Sequence, residues 1–158
     1  MLKGIDKLLN ICTDFVNEID EFEDVQMGVE FFCYPTTNEI FISLVASENA
    51  VEEFMTTLLE RTNVRDISEF TWSLLHEVGH CETWGVMTKR TTNHCRNVKR
   101  KIMQGKQPSV NYYYLTDERI ATDWAIKFVE NNYEMVKKFD KRILKYLKKF
   151  IIDNEIEI

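Results

Sequence analysis

The stretch Asp66-Ile67-Ser68-Glu69-Phe70-Thr71-Trp72-Ser73-Leu74-Leu75-His76-Glu77-Val78-Gly79-His80 decides how this chain is read. It closes on a His-Glu-x-x-His pentad inside an apolar, helix-prone run. No proline interrupts residues 67 to 84, and Gly85 is a natural C-terminal stop. Asp66 with Glu69 three residues on has the form of a capping box, which starts the helix there. At about 100° per residue, Ile67, Phe70, Leu74, Val78 and Cys81 form an apolar stripe. Glu69, Ser73, His76, His80 and Thr83 form a polar stripe opposite it. The first stripe is expected against the core, and the second is expected to present both imidazoles to a cleft.

Histidines at i and i+4 share one helix face and can grip one zinc ion, and Glu77 between them can act as general base on a water bound there. The pentad arises by chance in roughly one in a few hundred chains of this length, so its surroundings decide. A catalytic zinc needs a third protein ligand and an open position. The segment from Leu115 to Ala125 offers that ligand. Thr116 can cap a helix there, and Asp117 and Glu118 occupy its first turn, as the helix dipole favours. Glu118 shares a face with Ala121, Thr122 and Ala125, small residues that let this helix lie close to the pentad helix. Gly79, lacking a side chain, is expected to permit close packing beside the site, with an incidental helix glycine as the alternative. Glu118 is the expected third ligand. Asp117, about 100° off that face, and Asp123, about 140° off, are the runners-up.

The pentad combined with Glu118-Arg119-Ile120-Ala121-Thr122-Asp123-Trp124-Ala125 resembles the gluzincin group of metallopeptidases. The likeness is strongest to the small ImmA/IrrE-type proteins of bacteria and their phages and mobile elements, and it spans residues from about 25 to 130. The resemblance implies a zincin-like fold, one zinc per chain, peptide or protein substrates and an intracellular regulatory setting. Glu118 follows His80 by 38 positions, which an insertion over about 86–111 accounts for.

That insertion is basic. No acid occurs between Glu82 and Asp117, while Lys89, Arg90, Arg96, Lys99, Arg100, Lys101 and Lys106 give it a charge of +7. The chain as a whole carries −6, so the remainder carries −13. Two readings follow: a solvated loop whose charges pair with the acidic body, or an electropositive lip that attracts acidic protein segments or nucleic acid. Nucleic acid is the lesser option, because no aromatics interleave with the cations of 89–106 and no DNA-reading motif occurs. An oxyanion-stabilising donor is expected from Tyr114, in the run Tyr112-Tyr113-Tyr114, or from His94. Packing is the bland alternative for the tyrosines, and a surface position for His94.

The rest of the chain frames the site as one α+β, helix-rich domain over residues 1–158. Residues 1–23 show helical apolar spacing at Ile5, Leu8 or Leu9, Cys12, Phe15 or Val16, and Ile19. Their recurrent acids exclude a signal peptide or membrane span, so a cytoplasmic protein is expected. Val25 to Tyr34 and Glu39 to Ala46 are rich in β-branched and aromatic residues around the turn cluster Pro35-Thr36-Thr37-Asn38, which predicts an antiparallel hairpin before the pentad helix. With the resemblance, Ile40 to Val45 would be the strand beside the cleft that holds substrate by strand addition. A helix from Ser47 to Arg61 follows. From Thr116 onward the chain reads as helix, broken near Asn131-Asn132, with Val136, Phe139, Ile143, Leu147 and Phe150 as the apolar stripe of a C-terminal extension over about 131–152. That stripe is expected on the domain's own core rather than on a membrane or partner. Cys12, Cys33, Cys81 and Cys95 contain no C-x-x-C pair and are expected as reduced thiols. The function these signs favour is a zinc-dependent peptidase. The alternative is a catalytically silent, zinc-stabilised binding protein, against which the retained Glu77 argues.

Overall fold

The computed structural model describes residues 2–44 and 48–157. Among the described residues it is an α+β arrangement of six α-helices, one 3-10 helix and a single three-stranded sheet. In chain order these are α1 (Ile5–Asn17), β1 (Gln26–Met27), β2 (Phe32–Tyr34), β3 (Glu39–Ile42), α2 (Glu48–Leu59), α3 (Glu69–Glu82) and α4 (Lys89–Met103). The 3-10 helix Ser109–Tyr114, α5 (Thr116–Asn131) and α6 (Tyr133–Asp153) complete the chain.

The hairpin forms, but the sheet is not the simple antiparallel pair that alternation suggests. β2 and β3 pair antiparallel about Cys33↔Ile40, closed by a turn in which Thr37 N–H donates to the Tyr34 carbonyl and Asn38 takes φ 53°. The earlier half of the expected first strand separates as β1 and pairs parallel to β3 on its other side. Residues 28–31 therefore cross the C-terminal end of β3, held by Gly28 N–H to the Ile42 carbonyl and by Ser43 Oγ to the Val29 carbonyl. A Cβ on Gly28 would lie 3.1 Å from that of Phe41, which favours glycine where the chain passes so near. The strand expected to receive substrate is corrected by this order: β3 is central, both its edges are taken by β1 and β2, and Ile40 and Ile42 are fully buried. Val45, the last residue of that expectation, Ala46, the last of the expected second hairpin strand, and Ser47, the first of the next helix, lie outside the described residues.

α1 and α6 lie against each other, with Phe15 and Phe139 stacked at 3.9 Å between ring centroids. The α6 stripe Val136, Phe139, Ile143, Leu147 and Phe150 is buried, so this helix completes the core rather than extending from it. The break before it falls at Asn132, whose φ of −133° ends α5. No described helix is long and apolar enough to cross a membrane.

The start of α3 departs from the capping-box reading. Ser68, not Asp66, is the N-cap, and its hydroxyl oxygen accepts from Thr71 N–H. Asp66 lies outside the helix and accepts from the Tyr133 hydroxyl. The acid that serves this helix end comes from α6. Buried Asp140 Oδ1 accepts from Ser68 N–H (3.1 Å), Ser68 Oγ–H (2.5 Å) and Thr71 Oγ1–H (2.6 Å). A carboxylate at the positive end of a helix, satisfied by three donors, is favourable even when buried. At the other end α3 stops at Glu82, and Gly85 takes φ 84° three residues later.

Candidate metal centre

α3 and α5 make the most intimate helix pair in the molecule, and Gly79 is the reason. A Cβ at position 79 would lie 2.4 Å from the Ala121 carbonyl oxygen, so only glycine lets the two backbones approach this far. Ala121 and Ala125, both fully buried, supply the small surface on α5. This contact brings the first turn of α5 against the last turns of α3.

Three side chains meet there. His76 Nε2 lies 2.7 Å and His80 Nε2 2.9 Å from one oxygen, Glu118 Oε2. The donor atoms of His76, His80 and Glu118 all fall within 4.8 Å of one another. His76 and Glu118 are almost wholly buried and His80 partly so, and of the two imidazoles expected at a cleft His76 lines one, while His80 sits beside it in the crevice between helices.

The surroundings fix how these groups point. Thr122 Oγ1 is 3.0 Å from His76 Nδ1. When that nitrogen carries the proton and donates it to the hydroxyl, Nε2 presents its lone pair to the centre. Two ring nitrogens and a carboxylate oxygen then converge, all electron-rich, and only a cation or a proton between them makes the cluster favourable. Such a donor set could hold a metal ion. In the metal-free protein a proton takes the role: burial disfavours charged His80, but the Glu118 carboxylate outweighs this and raises its pKa to about 9. Burial likewise opposes the charge of Glu118, and His80 and His76 overcome it, holding the carboxyl well below its usual range.

The second oxygen of Glu118 is occupied. Lys99 of α4 donates to Oε1 (2.8 Å) and to Asp117 Oδ2 (2.5 Å), and its Nζ lies 4.9 Å over the Tyr112 ring. Of the two other acids in this part of α5, Asp117 is thus engaged by Lys99. Asp123 is exposed and paired with Arg61, away from the cluster. Thr116 does not cap α5. It is the first helical residue, and Asp117 Oδ1 accepts from Glu118 N–H.

Glu77 lines a cleft together with His76, Ser73, Phe54, Phe31, Tyr113 and Glu30. The crossing at residues 28–31 is what carries Glu30 and Phe31 there. Near Glu77, the Cys33 thiol of β2 is pushed strongly up by the Cys81 thiol, by burial and by Glu77 itself. All four cysteines are free, and burial alone raises Cys12 to about 12.

Neither expected oxyanion donor reaches the cluster. Tyr114 is half-exposed and donates its hydroxyl to the Glu60 carboxylate at 3.2 Å. His94 is exposed on α4. The 3-10 helix turns Tyr113 inward instead, its ring 5.4 Å from Phe54 and 6.2 Å from His76 between centroids. Burial, with Glu118 and Glu77 nearby, pushes the Tyr113 phenol up, so it stays protonated and able to donate. Periodicity gives no means of choosing among three consecutive tyrosines, and Lys99 carried no signal beyond its charge.

The basic insertion is also corrected. It is not a loop: Thr88 caps α4 by accepting from Thr91 N–H, and Cys95 is buried. Of its seven cations, only Lys99 pairs with an acid among the described residues.

Compared with known proteins, the chain matches no family model, no curated protein and no solved structure.

Proposed function

We propose that this chain is a zinc-dependent peptidase. The observation that carries the reading is the convergence of His76 Nε2, His80 Nε2 and Glu118 Oε2 on one point, with Glu77 in the adjoining cleft. Bound there, zinc supplies Lewis acidity, which polarises a carbonyl and lowers the pKa of a water.

The chain's own residues do the rest. Thr122 and Lys99 orient His76 and Glu118, the latter through the oxygen that does not face the histidines. Glu77 takes a proton from the attacking water and returns it to the leaving amine. Tyr113, protonated beside the cleft, donates toward the oxyanion. Phe31, Phe54 and Tyr113 give the cleft apolar surface for a substrate side chain. A base flanked by two ligands has no use in a purely structural zinc site, which favours an enzyme over a silent binding protein.

The test is elemental analysis joined to hydrolysis of an unstructured protein such as casein. Wild type and Glu77→Gln should each carry one zinc, Glu118→Ala should lose it, and only wild type should cleave. Zinc-loaded wild type that cleaves nothing would favour the binding protein. Absence of zinc from wild type refolded with the metal would end the reading.

A further inference from the structure

One face of α4 is used by the metal centre and the other is not. Cys95 and Lys99 fix its inner side, through burial and through the bonds to Asp117 and Glu118. Its outer side carries Lys89, Arg90, Arg96, Arg100 and Lys101, all exposed, and Lys106 follows in the turn beyond. Among the described residues none of these six has a carboxylate partner, and the Arg100 guanidinium donates to the Asn97 amide. Acids are not scarce, since the chain outside this segment carries −13. Among the described residues outside this segment, Arg61 pairs with Asp123 and half-buried Lys137 with Asp66. The fold therefore holds a positive strip about 22 Å long, at 1.5 Å per residue, on a helix anchored to the metal ligand.

The chemistry of the strip narrows what fits it. α4 contains no aromatic residue on which single-stranded bases could stack. Apart from Met103 at its end, it offers no exposed apolar anchor of the kind a folded partner needs. The chain carries no DNA-reading motif, and its net charge of −6 repels a duplex's phosphates at long range. An extended acidic polypeptide can follow the helix alone. We propose that the outer face of α4 docks an unstructured, Asp/Glu-rich protein segment. That this segment belongs to the substrate rests on the peptidase reading; the docking does not.

Fluorescence anisotropy with a labelled polyglutamate peptide tests it on the full chain. Binding is expected at low salt, weakening steeply as salt rises. The combined substitution Arg96→Glu, Arg100→Glu, Lys101→Glu should lower affinity by about tenfold or more with the melting temperature unchanged. Chelator-treated wild type should bind the peptide as the zinc-loaded protein does, so loss of the metal and loss of docking read out separately. Equal binding by wild type and the charge-reversed variant would overturn the proposal. So would a labelled DNA duplex that binds more tightly than the peptide and is released by the same substitutions.

Discussion

At the scale of single residues, the centre depends on an atom that is missing. Gly79 has no Cβ, and the Ala121 carbonyl occupies the space one would take. Alanine there improves intrinsic helix propensity by about 1 kcal/mol, yet its methyl meets backbone, which cannot rotate aside. Gly79→Ala is expected to lower stability by about 1–3 kcal/mol, measured by denaturant unfolding. It should also weaken zinc binding in a chelator competition, because α5 must retreat and take Glu118 with it. A variant as stable as wild type with unchanged zinc affinity would show that helix approach does not set the ligand geometry. Glu118 itself was legible in the sequence for the same physical reason. A carboxylate followed by small residues at i+3, i+4 and i+7 marks a face built for close contact, and the pentad helix needed a partner. Tyr113 and Lys99 were not legible, since their roles depend on which way a 3-10 helix and a neighbouring helix turn.

At the scale of elements, α3 is held at both ends by other helices, and the two anchors differ in kind. Its C-terminal half is fixed by the contact with α5, its N-terminus by Asp140 from α6. Asp140→Ala strips three donors of their acceptor in a buried place and removes a charge that complements the helix dipole. A loss of about 3 kcal/mol is expected, readable as a lower urea midpoint. Asp140→Asn, which keeps one acceptor oxygen, should lose less. If Asp140→Ala unfolds at the wild-type midpoint, the cap is not what anchors α3. Sequence periodicity recognised both helices and even the break at Asn132, because strong amphipathic stripes and an Asn pair are local signals. It missed that Ser68 rather than Asp66 starts α3, since the deciding acid lies 72 positions away from Ser68. The strands failed for a related reason: alternation identifies β-prone residues but cannot reveal a chain that crosses a strand end between Met27 and Phe32.

At the scale of the whole molecule, the proposed metal site would couple metal, proton and fold stability through one cluster. Without metal, the buried Glu118 charge is balanced by Lys99 and by protonated His80. His80 is raised from 6.5 in the unfolded chain to about 9 in the folded one. A raised folded pKa means that its stabilisation is fully present below pH 6.5 and is lost as pH rises through 9. The melting temperature of chelator-treated protein should therefore fall between these limits. Zinc replaces the proton with a charge that does not titrate there, so the zinc-loaded protein should be nearly flat over the same range. It should also bind the metal more tightly as pH rises, because less proton must be displaced. At a free zinc concentration about one hundred times the dissociation constant, the added stability is about 2.7 kcal/mol. Differential scanning calorimetry from pH 6 to 9.5, with and without metal, separates these curves. Parallel curves would mean that zinc and the His80 proton do not compete for one place, and the three-ligand centre would have to be redrawn around a different donor set.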